Sequence, residues 1–150
     1  MVVRTEGTQI DVWRNRPAFR RNFPELADAQ FAAGGARPCI LIYVDCWTSV
    51  GGSQFVDSPG TGRYHTYLCD EVVPGVDARY RTLPQAGHRG ITGESSGGYG
   101  AMITPMLRPD RALEAIGMTD VFFELFDATH DAIEYRYPIA ITHLAERLTP

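Results

Sequence analysis

Gly93-Glu94-Ser95-Ser96-Gly97 sets a serine midway between two glycines, each two positions away. A serine hydroxyl is a weak nucleophile unless the chain presents it in the open beside a base. A sharp turn from a strand into a helix does this, lifting Oγ above the end of a sheet. Such a turn crowds its neighbours, so the residues two before and two after must be small. Gly93 and Gly97 meet that need. The backbone N–H of Ser96 would then face the oxygen that gains charge during attack on a carbonyl. A second donor would come from an earlier loop. A plainer alternative stays open: a glycine-rich turn packing a helix closely on a strand, with Ser95 as the helix N-cap.

The flanking elements suit the first reading. His88 to Gly93 is a candidate strand and Gly97 to Leu107 a candidate helix that ends before Pro109. Upstream, Cys39 to Val44 is a continuous apolar run, the pattern of a strand buried on both faces, as in a parallel sheet. Asn22 to Ala33 reads as a helix, with Pro24 and Glu25 in its first turn and Gly34-Gly35 after its end. A loop from Asp45 to Arg63 carries Gly51, Gly52, Pro59, Gly60 and Gly62. It leaves the carboxyl end of a strand, where ligands bind in open α/β sheets. Its Trp47 and Phe55, with Tyr64 just beyond, are candidates to wall an acyl or aryl pocket; packing on the core is the alternative. Tyr64 to Tyr80 has helical apolar spacing, and Pro74 inside it predicts a kink. Glu114 to Met118 is a further candidate strand. Ile141, Leu144, Ala145 and Leu148 follow i, i+3, i+4, i+7 and predict an amphipathic helix. Strands alternating with helices imply a three-layer α/β domain.

A hydrolase triad needs an acid and then a histidine after the nucleophile. Asp120 and His130 stand in that order behind Ser95. That both are loop residues with no catalytic role remains the alternative reading. His143 sits beside the apolar stripe of the last helix, and His65 and His88 precede the nucleophile.

Other chemistries are excluded by residue type. All 14 basic residues are arginines, so Schiff-base catalysis and a P-loop lysine are ruled out. A net charge of -4, with no basic run longer than Arg20-Arg21, gives no ground for nucleic-acid binding. No HxH, HExxH or CxxC occurs, so no metal site and no cofactor are expected. Cys39, Cys46 and Cys69 read as small buried hydrophobes in a reducing compartment. No apolar run approaches the ~20 residues of a membrane span. The N-terminus shows no signal-peptide pattern, and a cytoplasmic location is the expectation.

The stretch from about Trp13 to Phe123 resembles an esterase family of α/β-hydrolases. That family includes antigen 85-type acyltransferases, S-formylglutathione hydrolase, feruloyl esterases and enterochelin esterases. The resemblance rests on Trp13-Arg14-Asn15-Arg16, Tyr43-Val44-Asp45-Cys46-Trp47-Thr48, Gly51-Gly52-Ser53-Gln54-Phe55, Ser58-Pro59-Gly60-Thr61-Gly62-Arg63-Tyr64, Asp70-Glu71-Val72-Val73-Pro74 and, most specifically, Gly93 to Met102. It implies Ser95 as nucleophile, Ser96 N–H as an oxyanion donor, and Pro74 within one helix.

The resemblance also implies a strand between the Cys39–Val44 strand and the elbow strand, ending in a His-Gly loop that supplies the second donor. Here Met1-Val2-Val3 looks like the stub of that strand, with Arg4-Thr5 in the His-Gly place. The family's acid and histidine usually lie far beyond the nucleophile, whereas this sequence ends 55 residues after Ser95. The expectation is therefore a single domain, 1–150: an incomplete, three-layer, mostly parallel α/β-hydrolase-like core cut at both ends. Such a core would be prone to self-association through exposed sheet edges. The expected function is serine-nucleophile hydrolysis of small carboxylic esters. The alternative is a catalytically inactive, esterase-like remnant that binds a ligand or partner.

Overall fold

In the computed structural model, residues 2–6, 21–108 and 136–148 are described. Three strands, β1 (Val2–Glu6), β2 (Leu41–Asp45) and β7 (Gly90–Gly93), form one sheet in the order β2-β1-β7. Both pairings are parallel. Val2 lies beside Leu41 and Gly90, and Thr5 beside Val44 and Gly93. The N-terminal strand therefore runs between the other two, where the resemblance puts it. Its length differs from the expectation: it is five residues, not three, and Arg4 and Thr5 belong to the ladder rather than to a loop. An arginine and a threonine break the apolar run of Val2-Val3, which is why hydrophobicity alone ended the strand too soon.

Successive residues of β2 pack on opposite faces of the sheet, with the period of two that a strand imposes. Ile42 and Val44 join a cluster with Cys46, Phe55, Leu68, Cys69 and, from β7, Ile91. Leu41 and Tyr43 join another, with Phe23, Ala27, Ala36, Ile141 and Ala145. Both faces of the strand are thus covered, as the continuous apolar run predicted. The strand itself starts at Leu41, two residues later than the run.

The second cluster is built by α1 (Phe23–Ala32) and α5 (Arg136–Arg147). Helix α1 begins with a capping box. Asn22 accepts from the Glu25 N–H at 3.0 Å, and Glu25 accepts from the Asn22 N–H at 2.9 Å. Loss of such a cap costs about 1 kcal/mol. Ile141 and Ala145 are buried, as their i, i+4 spacing predicted, and Leu144 packs over Gly90. The Thr142 hydroxyl accepts from Gln30 at 3.0 Å and donates to the Gly35 carbonyl at 2.9 Å, tying the two helices together.

On the other face the chain runs from β2 into two ribbons of two residues per strand. These are β3 (Trp47–Thr48) with β4 (Gly51–Gly52), and β5 (Asp57–Ser58) with β6 (Gly62–Arg63), both antiparallel. They fill the stretch read as one long loop. Helical structure follows without a break in three segments: α2 (Tyr64–Thr66), a π-helical stretch (Tyr67–Val72) and α3 (Val73–Arg79). Pro74 stands in the first turn of α3, just after the widened segment. The Val73 N–H donates five residues back, to Leu68. A π turn moves the preceding carbonyls away from where the proline ring would meet them, and this widening is how one continuous helix accommodates Pro74, where a kink was expected. His88 closes a 3-10 turn (Ala86–His88) ahead of β7, at the end of that strand remote from the elbow. The candidate strand Glu114 to Met118 lies outside the described residues.

Cys46 and Cys69 are buried and Cys39 is half-buried; all three are free thiols. Burial pushes the Cys46 thiol up to about 12, outweighing the hydrogen bond to Ser53 that favours the thiolate. Only the thiolate reacts. Iodoacetamide at pH 8 should therefore modify native Cys39 well before Cys46, with Cys46 reacting only in denaturant. Peptide mass spectrometry over a time course checks the order, and early loss of Cys46 would contradict it.

Candidate active site

Strand β7 ends at Gly93, Glu94 bends the chain, and α4 (Ser96–Leu107) begins two residues later. Between them Ser95 holds φ 53° and ψ -119°. A residue with a Cβ pays for this conformation with strain, which persists only where the surroundings impose it. Here they do. The Gly97 N–H donates to the Glu94 carbonyl at 2.7 Å, and the Tyr99 N–H to the Ser95 carbonyl at 3.0 Å. Ser95 occupies the N-cap position, yet its side chain makes no capping bond to the helix. The plainer alternative thus describes the residue's place and not its hydroxyl. The side chain is exposed at the carboxyl end of β7.

Ser96 is the first residue of α4, so its N–H precedes the intrahelical ladder and sits at the positive end of the helix dipole. Crowding at the turn is seen at Gly98, where a Cβ would lie 3.3 Å from the Gly93 carbonyl oxygen. It is more severe at Gly100, where a Cβ would fall 2.5 Å from the Phe55 ring. Glycines at 98 and 100 were not singled out by spacing. The available signal was their cost: each glycine inside a helix costs about 1 kcal/mol relative to alanine, so a cluster implies close packing.

The loop aromatics divide. Phe55 is buried in the core beneath α4, so it is a packing residue and not a pocket wall. Trp47 is 53% exposed. Tyr64 is half-buried; its hydroxyl donates to the Trp47 carbonyl at 3.4 Å and its ring meets Tyr67 edge-on. Sequence reasoning passed over Gln54, whose side-chain amide donates to Ser96 Oγ at 3.2 Å. An exposed polar residue in a glycine-rich loop carries no local signal of such a contact.

Among the histidines, His65 is buried at the start of α2, with Nε2 3.8 Å from Cys69 Sγ. His143, on α5, is half-buried, and its Nδ1 lies 3.0 Å from Arg147. Asp120 and His130 lie outside the described residues. Among the described residues no group of three or more His, Cys, Asp or Glu is arranged to hold a metal ion. Nor is any described helix long and apolar enough to cross a membrane.

A central sheet feeding a strained serine turn at a helix N-terminus is the arrangement of an α/β-hydrolase, and the chain has that fold. The family model described as "Putative esterase" matches residues 26–118, more than half of the 150, and the chain belongs to that family. Among solved structures, a ferulic acid esterase matches with a TM-score of 0.53 at 24% identity. The match covers 74% of this chain and 42% of that one, so the chain spans less than half the length of that esterase. No curated protein matches the chain.

Proposed function

We propose that this protein hydrolyses small carboxylic esters with Ser95 as its nucleophile, within the central part of a three-layer, mostly parallel α/β-hydrolase sheet. The observation that carries the reading is the Ser95 conformation, φ 53° and ψ -119°, with an exposed side chain that does not cap its own helix. A serine that only ended a strand would have no cause to hold this strain. Family membership supports the ester as substrate class.

In the proposed reaction Ser95 Oγ adds to the ester carbonyl carbon and gives its proton to His130, which Asp120 orients. The carbonyl π pair moves to oxygen, and the Ser96 N–H receives that oxyanion. Collapse of the adduct expels the alcohol, which takes the proton back from His130, and leaves an acyl group on Ser95. Water, deprotonated by His130, then adds to the acyl carbon and releases the acid and the free serine.

The test is a fluorophosphonate probe with peptide mapping, run beside hydrolysis of short aryl esters. Label is expected on Ser95. An unlabelled chain with no turnover would instead favour the inactive, ligand-binding alternative. His130→Ala is expected to slow labelling by about 10²- to 10⁴-fold, the usual worth of a positioned general base. Labelling at the original rate would remove His130 from the mechanism and leave Ser95 in it.

A further inference from the structure

Gln54 and Phe55 both stand at φ 57°, consecutive left-handed positions in residues that carry a Cβ. This strain is imposed from below. The Phe55 ring is buried against the backbone of α4 at Gly100, and its N–H donates to Ser53 Oγ at 3.2 Å. Ser53 is itself buried, and its N–H donates to the Cys46 carbonyl at 3.1 Å. The exposed member of the trio is Gln54, and the fixed loop carries its amide across 42 residues of sequence onto the elbow.

Its partner there is the hydroxyl of Ser96, the residue whose backbone N–H faces the oxyanion in the reading above. A serine hydroxyl has one hydrogen and two lone pairs. Nε2 of Gln54 has only hydrogens to offer, so it occupies a lone pair and leaves the hydroxyl hydrogen to point elsewhere. A hydroxyl that accepts one bond is also a stronger donor in the next. The backbone N–H and the hydroxyl of one serine lie roughly 3 Å apart by covalent geometry, close enough to serve a single oxygen atom.

We infer that Gln54 is a positioning residue that turns the Ser96 hydroxyl to donate, beside the Ser96 backbone N–H, to the oxyanion formed on the ester carbonyl. This rests on Ser95 acting as the nucleophile. Gln54 does not touch the reacting atoms; it acts through Ser96.

The experiment measures kcat and KM on an aryl ester, the rate of fluorophosphonate labelling, and the melting temperature. The chains compared are the wild type, Gln54→Asn, Gln54→Glu, Ser96→Ala, Ser96→Thr and the Gln54→Asn/Ser96→Ala double variant. Asparagine suits a left-handed position, so Gln54→Asn keeps the loop, but its shorter side chain cannot reach Ser96. Its kcat should fall about 10- to 100-fold with KM and melting temperature unchanged, at or below the worth of one oxyanion donor. Gln54→Glu, which accepts the hydroxyl hydrogen instead of leaving it free, should lose at least as much. Ser96→Ala should match Gln54→Asn, the double variant should lose no more than Ser96→Ala alone, and Ser96→Thr should retain most of the rate. A wild-type rate in Gln54→Asn, or losses that multiply in the double variant, would overturn the inference while leaving Ser95 in place. A wild-type chain that neither labels nor turns over would overturn the ester-hydrolase reading, and this inference with it.

Discussion

Ser95→Ala and Ser95→Gly are both expected to lose acylation, but only the glycine variant should gain stability. Alanine removes Oγ and keeps the Cβ that strains the backbone at φ 53°. Its rate loss should be on the order of 10³-fold or more, since removing a nucleophile leaves only what the oxyanion donors and substrate binding provide. Its melting temperature should stay close to the wild type, because the exposed Ser95 hydroxyl makes no capping bond whose loss would be felt. Glycine also removes the Cβ. A non-glycine residue in a sparsely populated region costs about 1–3 kcal/mol. Against that, glycine loses more backbone entropy on folding, by roughly 0.5–1 kcal/mol. The strain term wins, and a net gain of about 1 kcal/mol corresponds to a rise of roughly 2–4 °C in a chain of this size. Calorimetry beside probe labelling checks both halves. A glycine variant that melts lower than Ser95→Ala would show that the turn is unstrained, which would remove the physical ground for reading it as an elbow.

What was legible in the sequence was whatever a local pattern encodes. Asn22, Pro24 and Glu25 announce the start of α1, and the structure shows the capping box that Asn22 and Glu25 form. The Ile141/Ala145 spacing fixed the buried face of α5 before any partner was known. The Gly93 and Gly97 positions marked the turn at Ser95, where the structure shows a positive φ. Features that depend on distant contacts were not legible. Nothing local makes Trp47-Thr48 or Asp57-Ser58 a strand, because two residues show no period and exist as strands only through their partners. Phe55 reads as a loop aromatic, and its burial is decided by Gly100, 45 positions later. Gln54 joins the site for the same reason: its loop is folded back onto the elbow by packing that no single segment encodes.

That packing supplies the largest stability effect expected in the chain. Phe55 is among the most fully buried side chains, lodged with Val44, Leu68 and Cys69 between the sheet and the helices of that face. Its ring also fills the space that the missing side chain of Gly100 leaves on α4. Phe55→Ala should cost about 3–5 kcal/mol, the transfer and cavity terms of a large buried ring. A domain has only about 5–15 kcal/mol in hand, so the variant should melt on the order of 10 °C lower or fail to accumulate. The loss should reach the chemistry as well. Without the ring, only the Ser53 hydrogen bonds are left to hold the loop beneath Gln54, and its amide is expected to be released from Ser96. The opposite change, Gly100→Ala, pushes a methyl to 2.5 Å from the same ring. The gain in helix propensity, at most about 1 kcal/mol, does not offset an overpacking cost of about 1–3 kcal/mol. If ring and glycine are one fit, Phe55→Leu should cost less in a chain that already carries Gly100→Ala than in the wild type. The double variant should then be more stable than the two single losses added together would allow. Equilibrium urea unfolding of the four chains measures that coupling. Strict additivity would mean that the ring and the helix backbone do not press on each other, and that Phe55 is held by the rest of the cluster alone.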